Sequence, residues 1–251
     1  MNRFIVAAIM TVMMATGAMA ADLKGLKDGR DGSDIFSAPS AATWTGAYVG
    51  AHAGYAWGDA TTRDDPSDWE TSDPKYIGPF PFDLDGAVAG VTLGYNFQRS
   101  RIVFGPEIEI GYMGINGSRR TDSSNPTKHQ TLAVDAGLYA LLGGRVGVAF
   151  DRTLVYAKGG WIWWGTDATQ VTTNPGFVTH GTGAYSGLAY GGGVEQILAG
   201  GWSVKAEYMH LDFGDKGGDQ TGIEDGHVFG NRTSVDADTV KIGVNYKFGS
   251  R

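Results

Sequence analysis

Two polar residues in the second half of the chain, Ser186 and His210, are the types that can act as a nucleophile and its general base. Both fall on the same side of their predicted strands, near the same end. A nucleophile–base pair normally has a third group that orients the base, and no carboxylate of clear matching orientation accompanies these two. We therefore expect polar residues in contact with lipid headgroups, a protein that is not an enzyme, and no catalytic residue.

Three histidines, His129, His180 and His227, fall in three separate predicted loops. Imidazole is a common iron ligand, but no pair among them has helical or hairpin spacing. The chain has no cysteine, which excludes thiol catalysis and thiolate-held metal clusters. The sequence predicts no cofactor and no metal, and a haem or host ligand at the loops stays open as an alternative.

Ten charged residues recur on one side of strand-like stretches, where apolar residues occupy the other side. The acids are Glu107, Glu109, Asp135, Glu195 and Glu207. The bases are Arg145, Lys158, Lys205, Lys241 and Lys247. A confined charge without a partner is costly, so five acids and five bases on one side are expected to pair as a network inside the fold.

The elements that position these charges are eight strand-like stretches. They are predicted over 44–58, 85–98, 102–116, 132–150, 154–167, 184–197, 202–214 and 235–248. The predicted connections alternate between long (59–84, 117–131, 168–183 and 215–234) and short (99–101, 151–153 and 198–201). This alternation is typical of an all-β, eight-stranded, antiparallel, up-and-down transmembrane β-barrel, with the long loops outside the cell.

The last strand shows which side faces lipid. Val240, Ile242 and Val244 alternate with Thr239 and Lys241. A soluble barrel places its apolar side inside. Here the other side carries charges that are expected to pair inside the fold, so the apolar side is expected to face lipid. Eight strands enclose a space that side chains just fill, and the lumen is expected to be a polar plug.

Aromatic residues on the apolar side gather at the two ends of the predicted strands. One group is Tyr95, Phe97, Phe104, Phe150, Trp202, Tyr246 and Phe248. The other is Tyr55, Trp57, Tyr112, Trp161, Trp163 and Tyr208. Two such belts are predicted to lie at the two interfaces of a membrane.

The N-terminus predicts a signal peptide over 1–20. A positive residue precedes an apolar run over 4–17, and an A-x-A site places cleavage between Ala20 and Ala21. Residues 21–43 are small and charged and are expected to form a flexible periplasmic segment before a barrel over 44–248. The net charge of −7 argues against nucleic acid as a partner.

Four segments carry a resemblance to a known family. They are WTGAYVGAHAGYAWG (44–58), GGRVGVAFDRTLVYAKGGW (143–161), GGGVEQILAGGWSVKAEYMHLDFG (191–214) and TVKIGVNYKF (239–248). The chain resembles the small outer-membrane immunogenic β-barrel proteins of alphaproteobacteria, the RopB type. The resemblance implies an OmpA-like eight-stranded barrel in the cell outer membrane with antigenic loops, and it supplies no catalytic residue.

The C-terminus departs from that family. Its members usually stop at a terminal phenylalanine that the barrel-assembly machinery reads, whereas here residues 249–251 follow Phe248 as a short tail. The function we expect is a non-enzymatic contribution to envelope integrity and surface interactions, with outer-membrane lipid and lipopolysaccharide as partners. The alternatives are a small porin-like channel and a surface receptor for haem or a host ligand.

Overall fold

The structure is a computed structural model that describes residues 43–64, 80–122, 129–134, 136–172, 177–221 and 228–249. It contains ten antiparallel strand segments. They are β1 (Gly46–Asp64), β2 (Phe80–Arg99), β3 (Ile102–Met113), β4 (Gly117–Asp122), β5 (His129–Val134), β6 (Gly137–Phe150), β7 (Thr153–Thr172), β8 (Phe177–Ile197), β9 (Trp202–Thr221) and β10 (Val228–Lys247). The predicted signal peptide with its Ala20–Ala21 site, residues 21–42, and residues 250–251 lie outside the described residues.

The ten segments form a closed eight-stranded wall. Segment β4 continues β3 after a break at 114–116, and β5 continues into β6, so each of these pairs is one wall strand. Pairing of β1 with β10 closes the barrel. The predicted fold class, an all-β, eight-stranded, antiparallel up-and-down barrel, is therefore confirmed. Among the described residues, no helix is both long and apolar enough to cross a membrane.

Short turns join the strands at one end of the barrel, which we call the turn end; the opposite end is the hairpin end. The turn-end connections lie at 100–101, 151–152 and 198–201, as the sequence predicts. Ser100 and Asp151 both adopt a φ of 55°, the left-handed conformation that tight hairpins require. Their short polar side chains tolerate this conformation better than branched ones do.

The predicted long loops are wrong in extent, because the strands continue far into all four of them. For example, β9 and β10 remain paired up to Thr221 and Val228. The extension of β9, DKGGDQT (215–221), is rich in Gly and Asp and lacks an apolar side. Backbone pairing needs no such side, so sequence alternation ends where the apolar band ends while the hydrogen-bonded ladder continues.

Side chains alternate between the interior and the outer surface along every wall strand. The adjacent residues Leu141 and Leu142 illustrate this: the first is 1% exposed and the second 52%. The interior is not uniformly polar, which corrects the expectation of a polar plug throughout. Along the inward side of β9, the polar Ser203, Lys205 and Glu207 are followed by apolar residues from Met209 onward.

Apolar side chains therefore fill the interior on both sides of a charged middle layer. The hairpin-side layer includes Leu84, Met113, Ile115, Leu141, Ile162, Trp164, Met209, Leu211 and Phe213. The turn-side layer consists of Trp44, Val103, Ala149, Leu154 and Tyr156. Sequence pattern missed these layers because an inward leucine and a lipid-facing leucine look alike in a strand.

Two inward tyrosines lie across glycines on neighbouring strands. Tyr48 pairs with Gly94, and a Cβ at Gly94 would come within 2.3 Å of the Tyr48 hydroxyl oxygen. Tyr156 likewise pairs with Gly193, where a Cβ would approach its hydroxyl oxygen to 2.8 Å. Glycine at these positions lets each ring lie flat against the wall, so that its hydroxyl reaches the charged layer.

The alternation predicts a sharp contrast between outward positions inside and outside the apolar band. Val244 is 44% exposed between apolar neighbours, and Val244→Arg should reduce the free energy of unfolding by about 2–4 kcal/mol if it lies near the bilayer midplane. The outward-facing Asp83 lies beyond the aromatic residues, and Asp83→Arg should cost about 0–1 kcal/mol. Reversible denaturant unfolding in phospholipid vesicles measures both. Equal costs would contradict the assignment of the lipid-facing band.

Candidate functional site

A cluster of buried ions occupies the middle of the barrel. The structure brings together eight of the ten predicted charges, all at most 4% exposed. They are Glu107 and Glu109 on β3, Arg145 on β6, Lys158 on β7, Glu195 on β8, Lys205 and Glu207 on β9, and Lys241 on β10. Because alternate residues of a strand share a side, two residues two positions apart, such as Glu107 and Glu109, enter the same layer.

Lys158 lies at the centre of this cluster. Its Nζ is 2.5 Å from Glu107 Oε1, 2.5 Å from Glu109 Oε1 and 3.2 Å from Glu207 Oε1. Lys241 joins two of the same acids, with its Nζ 2.8 Å from Glu109 Oε2 and 2.8 Å from Glu207 Oε1. Four acids face four bases, so the layer is electrically neutral as a whole.

Arg145 connects the centre to the turn side. Its Nη1 is 2.7 Å from Glu195 Oε2, and its Nε donates a hydrogen bond of 3.1 Å to Asn96 Oδ1. The guanidinium carbon lies 4.5 Å from the centroid of the Tyr48 ring and 5.1 Å from that of Tyr156. A planar cation between two aromatic faces gains cation–π attraction in addition to its ion pair.

Neutral polar groups complete the coordination of the acids. Tyr48 donates a hydrogen bond to Glu107, and the Tyr156 hydroxyl donates to Glu207 Oε2 at 3.0 Å. Glu195 accepts from Ser203 and from Asn245 Nδ2. Sequence reasoning missed these residues because it counted only charges. Their position on the inward side of the strands was the available signal.

The two remaining predicted charges do not join the cluster. Lys247 lies at the turn end, where its Nζ donates to the backbone carbonyl of Thr43. The prediction that it pairs with an acid of the cluster is therefore wrong, because Lys247 is the last residue of β10 and lies at the barrel mouth. Asp135 lies outside the described residues.

The three central glutamates have a spacing that could suit a metal ion. One carboxylate oxygen from each of Glu107, Glu109 and Glu207 lies within 4.8 Å of the others. Lys158 Nζ already lies among these oxygens, so an ammonium group neutralises them. The donor set thus fits an internal ion pair, and we assign no metal to it.

The candidate nucleophile and base are far apart. Ser186 pairs with Trp163 on β7, whereas His210 pairs with Tyr190, four residues further along the same strand as Ser186. Four strand residues span about 13 Å, well beyond hydrogen-bond reach. The structure also corrects the expectation that His210 has no neighbouring carboxylate, because its Nδ1 lies 2.8 Å from Asp238 Oδ1.

The loop histidines do not lie where the sequence predicts. His129 belongs to β5, opposite Asp122, and His180 belongs to β8, opposite Thr169. Both are therefore strand residues, because the strands extend beyond the predicted band. His227 lies outside the described residues.

The predicted interface aromatics project from the outer surface at the two ends of the strands. At the turn end, the Phe97 ring contacts those of Tyr95 and Phe104, and the Tyr246 ring contacts those of Trp202 and Phe248. Phe150 is exposed at the same end. Towards the hairpin end, the exposed set is Tyr55, Tyr112, Trp161 and Trp163, with Trp57 and Tyr208 half-buried.

A family model for the outer membrane protein beta-barrel domain matches residues 5–248. The chain belongs to this family. It is 28% identical, over 97% of this chain and 99% of the relative, to the 31 kDa outer-membrane immunogenic protein of Brucella melitensis. It is 25% identical to the 22 kDa outer membrane protein of Rhizobium leguminosarum, over 83% of this chain and 80% of that protein. The predicted resemblance to alphaproteobacterial outer-membrane immunogenic proteins is therefore confirmed.

A comparison of structures finds other outer membrane proteins. The outer membrane protein OprG of Pseudomonas aeruginosa is 14% identical, covers 82% of this chain and 97% of its own, and has a TM-score of 0.44. Membership of the family places this protein in the outer membrane, as predicted. It also explains the arrangement of the surfaces, with apolar residues outside and ions inside.

The central position of Lys158 predicts a strong dependence of stability on this residue. Lys158→Met leaves three buried glutamates short of one cation and should cost about 3–5 kcal/mol of unfolding free energy. The double variant Lys158→Met with Glu207→Gln restores charge balance and should recover part of that loss. Denaturant unfolding in vesicles measures both values. A single variant as stable as the unaltered protein would show that the cluster does not stabilise the barrel.

Proposed function

We propose that the protein is a non-enzymatic, non-conducting barrel that contributes to envelope integrity and to surface interactions. The observation that carries this proposal is the filled interior, in which a neutral ion cluster lies between two apolar layers. A pore needs a continuous column of water. A barrel of eight strands has little width left once these side chains occupy it.

The apolar layers strengthen the case against conduction. An ion entering from the hairpin end must pass the layer of Trp164, Met209 and Leu211 before it reaches the ion cluster. Apolar constrictions exclude water and ions even where a narrow gap opens. At the turn end, the indole of Trp44 packs on Val103 and its neighbours. The route from the hairpin end into the charged layer therefore passes through packed apolar side chains, whereas a cavity at the turn end reaches Glu195.

The outer surface supports a role in the membrane itself. Exposed Leu, Ile and Val side chains form a band bounded by aromatic residues at each end. Such a surface binds lipid acyl chains, while the aromatic residues lie at the headgroups. We propose outer-membrane phospholipid and lipopolysaccharide as the direct partners, and the barrel-assembly machinery as the partner during insertion.

We also propose that the turn end faces the periplasm and the hairpin end faces the outside. In barrels of this kind, short turns lie on the periplasmic side and longer connections are extracellular. The strand extensions beyond the apolar band then project from the cell surface. They carry the segments that would contact antibodies or host molecules.

The orientation predicts which basic residues trypsin reaches on whole cells. Cleavage should occur after Lys75 and Lys128, which fall in the sequence between β1 and β2 and between β4 and β5, and should spare Arg152 in the exposed turn between β6 and β7. Fragment masses from intact and lysed cells provide the comparison. Cleavage after Arg152 in intact cells, with Lys75 spared, would reverse the proposed orientation.

Conductance in a planar bilayer tests the proposed function. The purified, folded protein should give no steady current steps, because the ion cluster fills the middle of the barrel and a packed apolar layer lies between it and the hairpin end. The variant Leu141→Ala, compared with the unaltered protein, opens space only in the hairpin-side layer. Because it leaves the ion cluster in place, it should still give no steady conductance. Large, stable steps from the unaltered protein would overturn the closed-lumen proposal and favour the porin-like alternative.

A further inference from the structure

A groove of about 520 Å³ lies on the outer surface of the barrel, within the band that faces lipid. Its floor crosses three neighbouring strands, because Pro106 on β3 pairs with Gly144 on β6, and Gly144 pairs with Gly159 on β7. None of these three residues has a side chain that projects far from the wall. The rest of the outward-facing lining is apolar and consists of Phe97, Phe104, Val146 and Ala157. The groove is therefore an apolar depression in a surface that the bilayer covers.

Large side chains border this floor. On the hairpin side, the next outward row consists of exposed apolar residues, which are Ile108, Leu142, Trp161 and Leu188. On the turn side, Phe104 and Val146 form the border, but Val146 pairs with Ala157, whose side chain is a single methyl group. The groove is therefore bounded towards the hairpin end and opens towards the turn end along β7.

Packing within the barrel does not explain the glycine at position 159. A Cβ on Gly159 would lie 3.7 Å from the Ala189 carbonyl oxygen, which is an ordinary contact. On the next residue, Gly160, a Cβ would approach the Leu142 carbonyl oxygen to 2.5 Å, so the fold itself requires glycine there. The open space at Gly159 leaves room for a ligand that comes from the bilayer.

Basic residues gather at the turn end of the same strands. Arg99 and Arg101 flank the turn between β2 and β3, and Arg152 lies in the turn between β6 and β7. The Ala149 backbone N–H donates a hydrogen bond of 2.7 Å to the Arg101 carbonyl, which places the first turn beside the end of β6. These two turns contain a single acid, Asp151. Net positive charge therefore lies at the end towards which the groove opens.

The positions of these groups along the barrel axis match those of a phospholipid in the leaflet at the turn end. The strand from Arg101 to Pro106 spans about 17 Å, or about 13 Å along the axis of a barrel with tilted strands. Half of the hydrocarbon core of a bilayer is about 15 Å thick. The arginines then lie at the level of the phosphate groups, with which they are complementary in charge, while the groove lies at the depth of the acyl chains.

We propose that the groove binds one acyl chain of a glycerophospholipid whose phosphate contacts Arg101 and Arg152. The inference deepens the lipid contact of the proposed function and rests on it, but it does not depend on whether the lumen conducts. A second copy of the chain fits less well, because a two-fold axis along the membrane normal would bring the arginines of both barrels together. A lipid of the hairpin-end leaflet would meet Leu142 and Trp161 before it reached the floor.

Photo-cross-linking of the folded protein in detergent micelles tests this site. The probe is phosphatidylglycerol with a diazirine in the middle of one acyl chain, and peptide mass spectrometry locates the linked residues. Labelling should be saturable and should concentrate on β3, β6 and β7, around Val146 and Ala157. A diacylglycerol probe with the same chain should bind about tenfold more weakly, because it lacks the phosphate.

Matched variants connect the labelling to the groove and to the arginines. Gly159→Leu fills the floor and should weaken saturable labelling about tenfold, as expected for the loss of about two buried methylene contacts. The control Ala53→Leu adds the same side chain to the lipid-facing side of β1, away from the groove, and should leave labelling unchanged. Arg101→Gln combined with Arg152→Gln should remove the preference for phosphatidylglycerol over diacylglycerol. Circular dichroism checks that each variant keeps its strand content.

The outcomes separate this site from general contact with lipid. Even labelling of all lipid-facing strands, or unchanged labelling of Gly159→Leu, would overturn the site and leave the proposed lipid contact intact. No labelling on any strand would contradict that contact as well. A dimer of the unaltered protein in sedimentation, abolished by Gly159→Leu, would show that a second copy occupies the groove and would also overturn the proposal.

Discussion

The ion pair between Lys158 and its three surrounding glutamates is the interaction on which the rest of the interior depends. The partners come from β3, β7 and β9, and Lys241 adds β10. Strands β3, β7 and β9 are not neighbours in the wall and reach one another only across the closed barrel, whereas Lys241 and Glu207 are partners on adjacent strands. A missing or misplaced strand would leave a buried charge unpaired, so the cluster makes correct closure a condition of stability.

The apolar layers and the tyrosines determine how strongly these ions interact. Packed apolar side chains on the hairpin side keep water away from the cluster, and electrostatic attraction increases as the local dielectric falls. The same exclusion raises the cost of any unpaired charge, which explains why Tyr48 and Tyr156 add hydrogen bonds to the acids. Glycines opposite the tyrosine rings make this possible, because no other residue leaves room for the rings against the wall.

The two ends of the barrel have different interiors. At the hairpin end the strands continue beyond the apolar band, and the interior below them is filled by apolar residues. At the turn end residues 43–45 lie between β2 and β10, held by Gln98 and Lys247, and a cavity lies beside Trp44.

The sequence by itself determined the number of strands, the lipid-facing side and the eight charges of the cluster, because alternation with a period of two is a local property. It did not reveal the apolar layers: Leu141 and Leu142 are identical in type, and only closure of the wall places one inside. It assigned Lys247 to the lumen, because alternation shows on which side of the wall a residue lies but not its position along the barrel axis. The register between strands decided which carboxylates contact Lys158 and where Trp44 lies at the turn end. That register is fixed only when all eight strands pair in a closed barrel.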